Sequence, residues 1–134
     1  MKKFLSLMVV MFVVTFAANV NAGRLYDYYN NHPDYAGFGR MGFYTFVYLP
    51  SIHVQEHNPP HYQIGYNCVN VNDDSGTESW SYNNAKRYNW NTKESFHLEN
   101  GYWVKDEVGD YGRGLRNKDF ANVIFRAAYG MNFY

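Results

Sequence analysis

The chain has 134 residues, 12 basic and 12 acidic side chains, and a hydrophobic content of 46%. This length fits one small domain, and the apolar content excludes a disordered or collagen-like chain, which lacks the apolar surface to offset its ordering entropy. A formal net charge of zero disfavours binding to nucleic acids and anionic membranes, which depends on basic surfaces.

Residues 1–22 have the pattern of a cleaved export signal. Lys2-Lys3 precedes an apolar run from Phe4 to Ala18, and Val20-Asn21-Ala22 has small residues at the expected cleavage positions. A membrane span needs about 20 apolar residues, so this run is too short, and we expect no integral membrane span after cleavage. The sequence therefore predicts an exported protein of the periplasm or the cell surface.

Residues 23–42 are predicted to form a loop or a loosely attached, Tyr/Gly-rich N-terminal arm. Neither a strand nor a helix period persists there, and Gly and Asn favour turns. Exposed tyrosines stack on sugar rings or anchor protein interfaces, which makes four residues of the arm candidate binding residues: Tyr26, Tyr28, Tyr29 and Tyr35. The alternative is that these tyrosines pack back over the sheet.

Residues 43–134 are predicted to form a single α+β domain, an antiparallel β-meander of about five to seven strands with a C-terminal helix packed on one face. Strands are predicted where segments rich in β-branched and aromatic residues alternate between apolar and polar positions and are bounded by turn residues. These segments are 43–49, 51–57, 61–71, 77–83, 88–90, 96–98 and 102–104. Pro50 is expected to end the first of these strands. After Cys68 the apolar residues change parity, which indicates a bulge or a strand covered on both faces.

The C-terminal helix is predicted after a loop over residues 106–117, from one apolar stripe at helical spacing: Phe120, Val123, Ile124, Ala127 and Met131. Asn117 is the expected N-cap, and Asp119 lies in the expected first turn. Gly130 is expected to end the helix in the left-handed conformation.

His53, His57 and His61 are candidate metal ligands around the Asn58-Pro59-Pro60 break. In a strand-turn-strand arrangement His53 and His57 share a face, and His57 and His61 approach across the hairpin. Two imidazoles with Glu56 or a water match the ligand preference of Zn2+ or Cu2+. The alternative is three solvated histidines at a hairpin edge and no cofactor.

Motifs of common enzymes are missing from the chain. It contains no G-x-S-x-G, H-E-x-x-H, phosphate-binding Gly-Lys or C-x-x-C motif, so we expect no enzymatic activity. The lone Cys68 is expected to be a buried small hydrophobe. The alternative is a hydrolase that pairs this thiol with a histidine.

Three segments carry a resemblance to other proteins: Tyr48–Ile52, Asn58–Ile64 and Ala127–Tyr134 resemble short exported proteins of unknown function from diderm Firmicutes (Negativicutes). More remotely, the order of an aromatic strand, a Pro-Ser-Ile strand and a paired strand resembles the surface-adhesin protein E type of domain. That resemblance implies an antiparallel sheet with a helix and a surface or periplasmic binding role. The paired cysteines of that family are missing here, so its ligand-binding residues are not carried over.

The sequence therefore predicts a small exported, non-catalytic binding or structural protein of the cell envelope, with a role like that of a surface adhesin. Its expected partner is an envelope or host macromolecule other than nucleic acid, contacted through the surplus of aromatic side chains (14 Tyr, 10 Phe and 3 Trp). A periplasmic metal-binding protein that uses the histidine-rich hairpin is the alternative.

Overall fold

The computed structural model describes residues 25–134, so the predicted export signal (residues 1–22) lies outside the described residues. The elements in chain order are α1 (Leu25–Asn30), β1 (Tyr35–Arg40), β2 (Phe43–Asn58), β3 (His61–Asn72), β4 (Thr77–Asn89), β5 (Glu94–Glu99), β6 (Tyr102–Lys105) and α2 (Gly112–Tyr129). Neither helix in this range is long and apolar enough to cross a lipid bilayer.

The six strands form one antiparallel sheet in the order β1 to β6, and every strand pairs with its neighbours in the chain. With α2 packed on one face, this arrangement confirms the predicted α+β meander. Local turn chemistry accounts for its hairpins. Asn100 and Gly101 both have positive φ angles, 50° and 80°, as a tight turn between two twisted strands requires.

Two strands continue through positions where the sequence predicted breaks. Pro50 lies inside β2 rather than ending it, at a point where pairing with β3 is interrupted between Tyr48 and His53. Proline has no N–H to donate, so it is tolerated where the ladder is already interrupted. Asn83 lies inside β4 with a φ of 57°, at a register shift against β3.

Residues 25–30 form α1 and residues 35–40 form β1, so the prediction of a loop or a loosely attached arm is wrong for these two segments. In β1, a Cβ added at Gly37 would lie 2.5 Å from Cε1 of the Phe46 ring. The missing side chain therefore lets β1 lie directly beside a buried aromatic ring. The two glycines of β1, Gly37 and Gly39, also hide the alternation by which a strand is recognised.

The core has two parts on opposite faces of the sheet. The larger part lies under α2 and contains Val47, Ile64, Tyr66, Cys68, Tyr88, Ala121, Ile124, Phe125 and Phe133. The smaller part lies against α1 and contains Tyr29, Phe46, Val69 and Val71. Since β3 contributes even-numbered residues to the first part and odd-numbered residues to the second, its change of apolar parity reflects burial on both faces.

Helix α2 begins at Gly112, earlier than predicted, and its N-cap Tyr111 makes no side-chain capping hydrogen bond. Asn117 lies inside the helix, where its amide Nδ2 donates to the Glu107 carbonyl oxygen at 2.8 Å. The buried side chains are Ala121, Asn122, Ile124 and Phe125, a stripe rotated away from the one predicted. Gly130 ends the helix with a φ of 75°, as expected.

Candidate ligand-binding site

Helix α2 covers only part of its face of the sheet, and the uncovered part next to its N-terminal half is an open groove of about 520 Å3. The contact between Phe38 of β1 and Phe120 of α2, with ring centroids 5.0 Å apart, marks the boundary. We call this groove the sheet trough; its lining includes Phe38, Phe43, Thr45, Asn70, Asn72, Thr77 and Ser79. Its volume is within the range of ligand-binding clefts, about 300–1,000 Å3.

The strand register builds the floor of the trough from two rows that cross β2, β3 and β4: Phe43, Asn72 and Thr77, and Thr45, Asn70 and Ser79. Residues directly opposite each other in an antiparallel sheet point to the same face. Thr45 is two residues from Val47, which lies in the core under α2. The trough is therefore the open continuation of the face that α2 covers.

The floor combines neutral polar groups with an aromatic ring. Thr45 Oγ1 donates to Asn70 Oδ1 at 2.8 Å, which orients the Asn70 amide, and Phe43 is 64% exposed. Glu78 also lines the trough, but its carboxylate accepts a hydrogen bond from the Tyr29 hydroxyl on the opposite face. The surface offered to a ligand is thus mainly apolar, with hydroxyl and amide groups set among phenyl rings.

The four candidate tyrosines come together on the face opposite the trough, and three of them pack over the sheet. Tyr29 is 4% exposed, with the Tyr35 ring 4.8 Å away, and the Tyr26 ring lies 4.4 Å from that of Tyr44. Tyr28 is 60% exposed. The alternative, in which the tyrosines pack back over the sheet, thus describes Tyr26, Tyr29 and Tyr35. Tyr28 alone among the four is largely exposed and accessible to a partner.

A β-bulge separates the histidines that were expected to share a face. His53 is opposite Gly65, whereas His57 is opposite Tyr62. Gly65 and Tyr62 are three residues apart in a regular part of β3, so they point to opposite faces, and so do the two histidines. Gln55 is the extra residue of β2 at this point. The expectation of a shared face is wrong because the bulge reverses the alternation.

The three histidines have separate surroundings. His53 Nδ1 lies 2.9 Å from the Ser51 carbonyl oxygen, His57 Nδ1 lies 2.8 Å from the Tyr129 hydroxyl, and His61 is exposed at the start of β3. Within residues 25–134, no group of three or more His, Cys, Asp or Glu side chains is placed to hold a metal ion. The structure therefore does not bring the predicted Zn2+ or Cu2+ ligands together.

A buried polar network that the sequence did not reveal joins β4, β5 and the segment after β6. Lys86 Nζ and Ser95 Oγ each donate to Asp106 Oδ2 at 2.6 Å, and His97 Nδ1 lies 2.7 Å from Asp106 Oδ1. The Lys86 and Asp106 side chains are only 3% and 4% exposed. These residues are separated by up to 20 positions in the chain, so no local motif marks them.

The network is electrostatically self-contained. Burial alone would raise the pKa of Asp106, but the charge of Lys86 and the hydrogen bonds from Lys86, Ser95 and His97 hold that pKa below its ordinary value. Lysine, serine, histidine and aspartate also build catalytic sites, but here the Asp106 carboxylate is already occupied by three protein donors. This arrangement indicates a structural role.

Cys68 is buried, as expected for a small hydrophobe, and burial raises the pKa of its thiol. Because the thiolate is the nucleophilic form, this environment disfavours the alternative of a reactive cysteine.

No protein-family model, curated protein or solved structure matches this chain.

Proposed function

We propose that this chain is a small exported, non-catalytic protein of the cell envelope that binds a neutral glycan in the sheet trough, in an adhesin-like role. The observation that carries the proposal is the exposed Phe43 ring beside two rows of hydroxyl and amide side chains on an uncovered half of the sheet. A sugar ring has a face of C–H groups and a rim of hydroxyls. Phe43 suits the face, and Asn70 and Thr77 suit the rim.

The size of the trough favours an oligosaccharide over a monosaccharide. A cavity of about 150 Å3 holds one benzene molecule, so an open groove of about 520 Å3 has room for roughly three six-membered rings. The groove lies across neighbouring strands and is open to solvent. An internal segment of a longer glycan chain therefore fits its shape.

The charge of the lining favours a neutral glycan. The Glu78 carboxylate is held by Tyr29 on the other face, and the other side chains named in the lining are uncharged. An acidic polysaccharide would lose hydration in the trough without gaining an ion pair from its floor. Arg116 lines the adjoining groove at α2 and is not among the lining residues of the trough.

Export and the lack of catalysis are supported by separate observations. The pattern of residues 1–22 supports export. The missing enzyme motifs, the buried thiol and the self-contained Asp106 network support a binding role. The separation of His53, His57 and His61 leaves the metal-binding alternative without a common site.

The test is calorimetric titration of the purified protein with chitotetraose, cellotetraose and maltotetraose, with tetragalacturonate as the acidic comparison. At least one neutral tetrasaccharide is expected to bind, and the Phe43→Ala and Asn70→Ala variants are each expected to weaken binding about tenfold. Tyr102→Ala is the matched control, because Tyr102 is an aromatic residue of β6, 76% exposed and outside the trough. This variant is expected to bind like the wild type.

Four results contradict the proposal. They are the absence of binding to every neutral probe, unchanged binding by both trough variants, tighter binding of tetragalacturonate than of the neutral glycans, and release of shortened saccharides on incubation. Intact-mass measurement of the protein recovered from its native host tests export on its own, because a protein that retains residues 1–22 was not processed as predicted.

A further inference from the structure

A second concave site lies where the β2–β3 hairpin meets the C-terminal end of α2, remote from the sheet trough. It has a volume of about 180 Å3, and it is lined by His57, Tyr62, Trp90, Phe125, Tyr129 and Met131. We call it the aromatic pocket. A cavity of about 150 Å3 holds one benzene molecule, so this pocket has the size of a single six-membered ring with a substituent.

The walls of the pocket are aromatic rings held by one another. The Tyr62 ring stands edge-on to Phe125, with centroids 5.5 Å apart and an interplanar angle of 88°, and edge-on to Tyr129 at 5.3 Å. Trp90 stacks on Phe125 at 5.8 Å. Because Phe125 is itself 2% exposed and belongs to the core, it gives the pocket a fixed wall before a ligand enters, which lowers the cost of binding.

One side of the pocket is polar. His57 Nδ1 and the Tyr129 hydroxyl are 2.8 Å apart, so the tyrosine hydroxyl fixes the orientation of the imidazole. Among the hydrogen bonds within residues 25–134, His57 makes one through Nδ1, and its Nε2 is the remaining polar atom of that ring. A hydroxyl or carboxylate on a bound ring would find a partner there.

The charge around the pocket selects against cations. No residue of its lining carries a carboxylate. The Lys93 ammonium lies 3.0 Å from the centroid of the Trp90 ring and donates to the Phe133 carbonyl oxygen at 3.1 Å. A ligand ammonium would compete with Lys93 for the same ring and be repelled by its charge. A neutral or anionic ring meets no such repulsion.

We propose that the aromatic pocket binds a free, small aromatic compound whose single ring bears a hydroxyl or carboxylate, as in phenol or 4-hydroxybenzoate. The ring packs against the aromatic walls, and its polar substituent meets His57. This site is independent of glycan binding, so either can fail without the other.

The test follows the three Trp indole N–H signals in nitrogen-15 correlation spectra while phenol or 4-hydroxybenzoate is added. The Trp90 signal, assigned with Trp90→Phe, is expected to shift and saturate with a dissociation constant on the order of 1 mM, while the Trp80 and Trp103 signals stay in place. His57→Ala is expected to weaken binding about fivefold. His61→Ala is the matched control, since His61 is also exposed on this hairpin but lines a different groove.

Phenyltrimethylammonium and cyclohexanol complete the experiment. Both are expected to bind much more weakly than phenol, the first because of its charge and the second because it has no aromatic ring. The proposal is overturned if the Trp90 signal does not shift saturably, if either comparison compound binds as tightly as phenol, or if His61→Ala weakens binding as much as His57→Ala.

Discussion

Replacing Asp106 with asparagine tests whether the buried network stabilises the fold. The change preserves the shape of the side chain but removes the charge that Lys86 Nζ contacts at 2.6 Å. It also places an amide donor where three donors now converge. With Lys86 only 3% exposed, its ammonium is left buried without a counter-ion. Loss of one partner from such a pair costs about 3–5 kcal/mol of the free energy of unfolding.

Urea unfolding at pH 7, followed by tryptophan fluorescence, measures this cost as a lower midpoint with an unchanged slope. The midpoint of thermal unfolding is expected to fall by roughly 10–20 °C. Glu94→Gln is the matched control, because it removes an ion pair with Lys105 whose side chains are 32% and 62% exposed. Exposed pairs contribute little, so this variant is expected to unfold close to the wild type.

A double variant separates the loss of the pair from the loss of packing. Adding Lys86→Met to Asp106→Asn removes the unpaired charge, so the double variant is expected to be less destabilised than the sum of the single variants. A loss below about 1 kcal/mol in Asp106→Asn, or strictly additive losses, would refute the reasoning.

The pKa of Asp106 is lower in the folded protein than in the unfolded chain. The stability that the Asp106 carboxylate contributes is therefore fully present above the unfolded pKa and is lost as pH falls through the folded pKa. The stability gap between wild type and Asp106→Asn should therefore shrink in acid.

Three further predictions concern other parts of the core. Tyr29→Phe removes the hydrogen bond to Glu78 and is expected to cost about 1–2 kcal/mol in urea unfolding, whereas Tyr28→Phe, at a residue 60% exposed, should leave the midpoint unchanged. Gly37→Ala places a Cβ 2.5 Å from a buried phenyl ring and is expected to cost about 1–3 kcal/mol in the same assay; a stabilised variant would contradict the close packing of β1. Cys68 is buried, so a thiol reagent should modify it only in denaturant, and rapid labelling of the native protein would contradict its burial.

The parts of the fold that depend on local chemistry were predictable. Asn100-Gly101 marks its hairpin because both residues tolerate positive φ, and Gly130 marks the end of α2 for the same reason. β1 was not predicted because Gly37 makes room for the Phe46 ring of β2, and no feature within β1 indicates that contact. The bulge at Gln55 is likewise visible only in the pairing of β2 with β3.

The binding surfaces were harder to predict than the fold. Thr45, Asn70 and Ser79 lie on three different strands, and each alone resembles an ordinary solvated position. Only the register places them in one row. His57 was recognised as a candidate, but for a metal, because its partner Tyr129 is 72 residues away. The tyrosines near the N-terminus had the strongest compositional signal, yet that signal reflects packing at Tyr29 and its neighbours.

The order of the elements has a consequence for how the chain folds during synthesis. Within residues 25–134 all sheet pairings join consecutive strands, so hairpins can form one after another as the chain grows, with little entropy lost to loop closure. The cover of the larger core is made by Ile124, Phe125 and Phe133, which are synthesised after every strand. Until then Ile64 and Tyr66 have no helix to bury them. The larger core is therefore closed only after residues 124–133 have been made, so the six strands are synthesised before the helix that covers them.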